Sequence, residues 1–513
     1  MPILGSLIRK AFEIRQFPVD FLTHDPIRSQ HHVLRKLIER AKNTAFGEEY
    51  DFGRIAATGY HPAEFIKRVP IHDYSSMFKN WWYRSLNGEP FVTWPGRVNY
   101  FALTSGTSES SSKYIPVTNE MLRAIQRASV RQLVSATKYG FPDEFFEKGI
   151  LMIGGSTHLQ YNGTYYQGDL SGITAKNIPF WFQHFYKPGR RIAREVEWTV
   201  KLDEMVRKAD NWDIGIIVGV PAWVQIILEK IIDRYQLRTI HDIWPHFSAY
   251  VHSGVSFGPY LRSFEQLLGK PVLYNESYLA SEGYMAFQQP GNHNGMSLIT
   301  DNGIYFEFIP FNDTNFYPDG EIRSDAKTLD LTEVSEGTEY ALLISTCAGA
   351  WRYLIGDTIK FTNVGQAEIQ LTGRTKQFIS LCGEHVSQDN LNRAIGMLQE
   401  EMNIRISEFA IAGTRSGNLF AHHWYLGTDS PLDPVVAAEK LDGYLKILND
   451  DYRVERIEAL REVTAEILPL HVFLDWMKWK GKEGGAHKFP RVLKNGQLEE
   501  WINYINPVGR DKP

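Results

Sequence analysis

The sequence predicts an α/β protein: a large N-terminal α/β body with mixed sheets, followed by a smaller α+β C-terminal domain. Three observations carry this reading. Strand-like segments alternate with long helical periodicities through the first 375 residues, a pattern that places at least one largely parallel sheet under helices. The 513 residues exceed what one hydrophobic core organises. The helix and strand patterns restart beyond "LTGRTKQFISLCGEHVS", so the boundary falls near Gly373 to Lys376 and divides the chain into residues 1–375 and 376–513. The second piece has an ordinary domain length.

The first hundred residues read as mostly helical. "MPILGSLIRKAFEIRQF" places Arg9 and Lys10 where a secretory leader needs its apolar stretch, so it reads as an amphipathic helix. In "HHVLRKLIERAKNTAFGEEY" apolar residues recur at three- and four-residue steps, with Gly47 as the stop. After the apolar-rich "VNYFALTS" comes the helical "NEMLRAIQRASVRQLVSATKY", with Asn119 as its cap, and then the strand-like "GILMIGG". The run "IGIIVGVPAWVQIIL", residues 214–228, falls short of the ~20 residues a membrane span needs. It reads as a buried strand, Ile214 to Val220, feeding a helix that starts at Pro221. Short strands follow in "AYVHSGVS", "PVLYNESY", "GMSLIT" and "GIYFEFIP", then in "EYALLISTCAGAWRYLIGDTIKFTN", where Gly349 and Gly356 act as breakers. The C-terminal domain reads as a helix near 388–401, the strands "EFAIAG" and "LFAHHWYLG", a helix from about 434 to 448, and a further strand and helix.

Composition excludes several classes. Lys and Arg total 55 against 60 Asp and Glu, a formal charge of −5, which offers no basic excess for nucleic acid or anionic lipid. The two cysteines, Cys347 and Cys382, build no disulfide framework and suit a reducing compartment, the cytoplasm. No membrane span is expected. His422 and His423 are consecutive on a predicted strand and so face opposite ways, unable to share a metal.

Three segments carry candidate chemistry. Between Thr104 and Lys113 stand six hydroxyl side chains, Gly106 and Glu109. Clustered hydroxyls and backbone N–H groups can surround phosphate oxygens, and the lysine adds a cation. The spacing is not that of a Walker A loop, and a solvated turn is the plain alternative. In "YNESYLASEGYMAF", Glu282 follows a strand, where a carboxylate either caps a turn or reaches a Mg²⁺ shared with phosphate. In "RYLIGDTIKF", Asp357 stands where a carboxylate accepts from ribose hydroxyls or simply makes a turn.

Their order decides more than any one of them. A hydroxyl-rich loop, Y-x-x-S-E, Y-x-x-G-D and the G-R…G-E of "TGRTKQFISLCGEHV" together resemble the adenylate-forming ligases, and most closely the auxin-responsive acyl acid–amido synthetase family. The similarity extends to "GVPAW", "SGVSFGPY" and "HKFPRVLKNG" and so covers nearly the whole chain. The resemblance implies an ATP- and Mg²⁺-dependent enzyme that joins a small carboxylic acid to an amino acid; the same first step also serves an acyl-CoA ligase. It further implies roles residue by residue. Ser105, Gly106, Thr107 and Ser108 would hold the phosphates, with Lys113 nearby. Ser253, Gly254 and Val255 would line the adenine side, and Tyr278 would sit against the base. Ser281 and Glu282 would approach the α-phosphate and Mg²⁺, while Asp357 and Arg374 would hold the ribose. Lys376 would be the hinge of a mobile lid, the C-terminal domain, and Lys488 the basic catalytic residue that closes over the site. Glu109 and Leu354 depart from the family pattern, which has glycine and arginine at those places.

Overall fold

The computed structural model describes residues 25–104, 113–254, 257–292, 295–317, 320–376, 386–416, 419–449, 460–481 and 489–506, with Lys10, Ile379, Tyr452, Arg453 and Arg456 besides. The chain divides into two compact units. One comprises Met1–Gly254, Leu268–Phe311 and Asp325–Gln370; the other comprises Val255–Leu267, Asn312–Ser324 and Leu371–Pro513. The smaller unit therefore takes in two segments that precede the expected boundary.

In the first unit the helix α1 (Pro26–Ala41) starts where expected for its sequence. Pro26 occupies the first turn, and the Asp25 carboxylate accepts from Arg28 N–H. Val33, Leu34, Leu37, Ile38 and Ala41 form its buried stripe. It ends before Gly47, which lies inside the next short helix, Ala45–Glu49, rather than stopping the first. The helix α2 (Asn119–Ser135) is capped by Thr118, not Asn119. The Thr118 hydroxyl accepts from Met121 N–H at 3.1 Å and donates to Cys347 O at 2.7 Å, so one side chain satisfies the helix start and ties it to a distant turn.

Two sheets organise this unit. β1 (Tyr100–Thr104) and β2 (Lys113–Val117) form an antiparallel hairpin that ends at the pair Thr104 and Lys113. They belong to a four-stranded sheet ordered β2-β1-β5-β4 with β4 (Gln160–Tyr161) and β5 (Tyr166–Gly168). The main sheet has eleven strands. Its parallel half holds β3 (Gly149–Met152), β6 (Tyr186–Lys187), β7 (Ile214–Gly219), β8 (Ala249–Ser253) and β9 (Leu273–Ala280). The other half holds β10 (Gly283–Phe287), β11 (Met296–Leu298), β12 (Ile304–Pro310), β13 (Glu339–Thr346), β14 (Tyr353–Asn363) and β15 (Glu368–Arg374). The order is β12-β13-β14-β15-β11-β10-β9-β8-β7-β3-β6. β9, β8, β7, β3 and β6 pair in parallel, whereas β9–β10, β10–β11, β11–β15, β12–β13 and β13–β14 pair antiparallel. The helix α3 (Trp198–Lys208) precedes β7, and α4 (Pro221–Tyr235) follows it with Pro221 in its first turn. Gly356 does not break its strand as the sequence suggested. It stays inside β14 at φ 88, a left-handed conformation open to glycine, and bends the strand just before Asp357.

In the second unit β16 (Glu408–Ser416), β17 (Leu419–Gly427), β18 (Leu460–Leu468) and β19 (Val492–Leu493) form a sheet ordered β18-β17-β16-β19. Alternation along β16 divides its core. Phe409 and Ile411 pack with Leu391, Ile395 and Leu441, while Ala410 and Ala412 face Phe473, Trp476 and Trp501. His422 is fully buried, and the neighbouring His423 turns the other way to meet Thr464 Oγ1 at 2.6 Å.

Candidate active site

The carboxyl ends of β8 and β9 gather the candidate residues of the first unit. Ser253 closes β8 and lies in register with Ser277 on β9, one residue before Tyr278. The Ser277 hydroxyl donates to His252 O at 3.2 Å, locking the two strand ends together. Gly254 follows at φ 90. Tyr278 is 5% exposed, and its hydroxyl donates to Asp357 Oδ2 at 2.5 Å. β9 and β14 stand four places apart in the sheet, about 19 Å if it lay flat. Their side chains meet because the sheet twists and curls. Ser281 and Glu282 occupy the turn from β9 into β10, and Glu282 is 8% exposed. Ser253, Tyr278, Ser281 and Glu282 thus sit on two adjacent strand ends, with Asp357 brought to them by Tyr278.

Lys113 starts β2 in the four-stranded sheet, opposite Thr104. Its ammonium lies over the Tyr74 ring at 5.1 Å from the centroid, and Tyr114 N–H donates to Tyr74 Oη at 2.9 Å. Arg374 ends β15, and Lys376 pairs with Glu321 at 2.5 Å, both in the second unit. The chain near Lys376 is packed closely: a Cβ on Gly320 would lie 1.8 Å from Thr375 O. Ser105, Gly106, Thr107, Ser108, Val255 and Lys488 lie outside the described residues, as do Glu109 and, Lys10 apart, the N-terminal segment 1–17 read as an amphipathic helix.

Sequence reasoning missed three features. His252 is buried beside Ser253, and burial pushes its imidazole down to about 4, so it is neutral at pH 7. Its register partner Glu276 is raised above the usual carboxylate range by burial. The strand end under the candidate site therefore carries groups held toward their uncharged forms. The third feature is Arg352 in "WRYLIGD", at φ 39. Its Nε donates to Glu307 Oε1 at 3.0 Å, Nη1 to Val69 O at 2.7 Å and Nη2 to Thr328 Oγ1 at 2.9 Å. This buried clamp fixes the start of β14, five residues before Asp357. Its only signal in the sequence was an arginine inside an otherwise apolar stretch.

Comparison with known proteins identifies the family. The N-terminal domain of the GH3 family matches residues 18–202, its central domain residues 297–374 and its C-terminal domain residues 389–497. The chain belongs to the GH3 family. It is 26% identical over 328 residues to the probable indole-3-acetic acid-amido synthetase GH3.1 of Arabidopsis thaliana, covering 59% of this chain and 44% of that one. It thus spans less than half the length of that relative. Against the jasmonoyl–L-amino acid synthetase GH3.5 of Oryza sativa subsp. japonica, identity is 22% with 92% and 93% of the two chains covered. A solved GH3.15 acyl acid amido synthetase superposes with a TM-score of 0.77 over 97% of this chain and 96% of that one, at 16% identity. That likeness shows a common fold, the family's α/β body and C-terminal domain. Among the described residues no helix is long and apolar enough to cross a membrane.

Proposed function

We propose that this GH3-family chain activates a small carboxylic acid with ATP as an acyl-adenylate and passes the acyl group to the amine of an amino acid. The observation that carries this reading is the Tyr278–Asp357 hydrogen bond, which joins the residue we assign to the base and the one we assign to the ribose, near the carboxyl edge of parallel strands. Ligands of open α/β sheets occupy such a crevice.

In the first step a carboxylate oxygen of the acid bonds to the α-phosphorus of ATP, the bond from that phosphorus to the bridging oxygen breaks, and pyrophosphate leaves. In the second, the neutral amine bonds to the acyl carbon, the bond to AMP breaks, and the amine proton is lost to solvent. Two anions must meet in the first step, so charge has to be spread. Ser105, Gly106, Thr107 and Ser108 would take the phosphates, with Lys113 at the root of their loop. Asp357 accepts from the ribose, oriented by Tyr278, and Arg374 adds a contact there. Ser253, Gly254 and Val255 would line the base, and Ser281 would approach the α-phosphate.

Glu282 suits Mg²⁺: it is a hard oxygen donor, buried in a tight turn beside Ser281, and this ion takes one or two carboxylates with phosphate and water. When bound, Mg²⁺ supplies positive charge to the triphosphate. Lys488 would close over the site as the second unit moves about Lys376, excluding water from the adenylate. A reducing cytoplasm suits the chain's two cysteines.

The test is pyrophosphate release over a panel of carboxylic acids, with amino acids or CoA added. Amide formation dependent on an amino acid supports the reading. A thioester identifies an acyl-CoA ligase instead, and silence over a broad panel refutes activation altogether.

A further inference from the structure

Lys201 is a buried lysine whose ammonium is held by backbone carbonyls. It lies on α3, is 3% exposed, and donates from Nζ to Gly154 O at 2.8 Å and Gly155 O at 3.0 Å. Burial pushes its ammonium down to about 8, against the opposing influence of Asp169 and Glu195. The two carbonyls belong to the turn that leaves β3. Other contacts hold the same turn: Gly155 N–H donates to Ser171 Oγ at 2.8 Å, Thr157 N–H to Ala193 O at 2.8 Å, and Ser156 Oγ to Arg194 O at 3.0 Å. The helix Leu170–Lys176 comes so close that a Cβ on Gly172 would lie 2.1 Å from Ser156 O.

The turn's place in the sheet gives it a use. β3, β7, β8 and β9 are adjacent and parallel, so Met152, Gly219, Ser253 and Ala280 end on one edge. Two strand spacings separate the turn after β3 from Ser253, about 10 Å, a span that a small aromatic acid covers. Trp198, one helical turn before Lys201 on the same side of α3, packs edge to face on Trp223 at 4.8 Å, and Trp223 lies in the first turn of α4 after β7. An aromatic pair and a pinned glycine turn therefore border the same edge as the nucleotide candidates.

We propose that Lys201 is a positioning residue for the acid substrate: by holding the Gly154 and Gly155 carbonyls it fixes the turn after β3 as the wall that meets the distal end of the acid. This rests on the ligase reading above. A lysine that served only the fold would support the whole sheet edge and affect every substrate alike. A positioning lysine affects the acid alone.

The experiment compares wild type with Lys201→Met, which keeps side-chain length without the ammonium, and Ser171→Ala, which removes only the Gly155 clasp. ATP–pyrophosphate exchange is followed with benzoate, indole-3-acetate and 2,4-DB as acids, beside hydrogen–deuterium exchange of peptides within 150–160. Lys201→Met is expected to raise the KM of the best acid about tenfold, the loss of two hydrogen bonds from a charged donor being partly offset by relief of burial. The KM for ATP stays as in wild type, and amide exchange in 150–160 quickens. Ser171→Ala shifts both readouts the same way by about threefold. A folded Lys201→Met with wild-type acid KM and exchange overturns the proposal, as does a parallel rise in the KM of acid and ATP. If Lys201→Met does not fold, Ser171→Ala decides on the same readouts. A wild-type protein silent with every acid refutes the ligase reading itself, before any variant is made, and this proposal with it.

Discussion

Replacing Tyr278 by Phe removes a single oxygen from the candidate site. The ring stays in place against the base position, because Tyr278 is buried in the β9 face and only its hydroxyl reaches out to Asp357 at 2.5 Å. A hydrogen bond to a charged group contributes about 1.5–3 kcal/mol. Asp357 is only part-buried, so water replaces some of the lost contact and the lower end applies. About 1.5 kcal/mol corresponds to about a tenfold change. Tyr278→Phe should therefore lower kcat/KM for ATP about tenfold in the pyrophosphate assay, while the KM of the acid is unchanged. Asp357→Ala should lose roughly 10- to 100-fold in ATP use, since it removes the ribose acceptor outright. The double variant should be no worse than Asp357→Ala alone, because Tyr278 acts through the carboxylate it orients. Unchanged ATP kinetics in Tyr278→Phe, or losses that simply add in the double variant, would refute the assignment of this pair to the nucleotide.

The remaining expectations concern stability and the lid. Arg352→Met leaves Glu307 buried without its cation and should cost about 3–5 kcal/mol in urea unfolding, much of it regained in Arg352→Met/Glu307→Leu; equal stability of the two variants would contradict the clamp. Lys201 falls from 10.5 to about 8 on folding, so between these values the unfolded chain still holds a proton that the folded chain has lost. Its contribution to stability therefore rises with pH through that window and is smallest below 8, by about 3 kcal/mol in all. The stability gap between wild type and Lys201→Met should move in favour of wild type from pH 8 to pH 10, and a gap independent of pH would exclude the buried ammonium. Lys488→Ala should slow acid-dependent pyrophosphate release with ATP binding retained; normal release would remove it from catalysis.

Local rules were enough for most of the elements. Pro221 and the apolar stripe of "AWVQIIL" place a helix directly after the strand Ile214–Gly219, and "LFAHHWYLG" is β17 from end to end. Where the reading failed, a neighbour outranked the local signal. Thr118 displaced Asn119 as cap because its hydroxyl also reaches Cys347 O, and Gly356 bends β14 instead of ending it because β13 pairs with residues on both sides of it. At the candidate site, Tyr278, Glu282 and Asp357 were each legible as residue types in suggestive settings. His252, Lys201 and Arg352 were not, since burial and carbonyl partners leave no trace in spacing.

The sequence by itself determined the alternation that makes an α/β body, the C-terminal module and the order of segments that marks the GH3 family. Those depend on interactions within one turn or one strand, and on residue identity. Only the tertiary structure decided that Tyr278 grips Asp357, that Arg352 is locked on Glu307, and that Lys201 spends its charge on two glycine carbonyls. These contacts join residues 79, 45 and about 47 positions apart along the chain. Such pairs are set by how the sheet curls and what it buries, and no local preference encodes them.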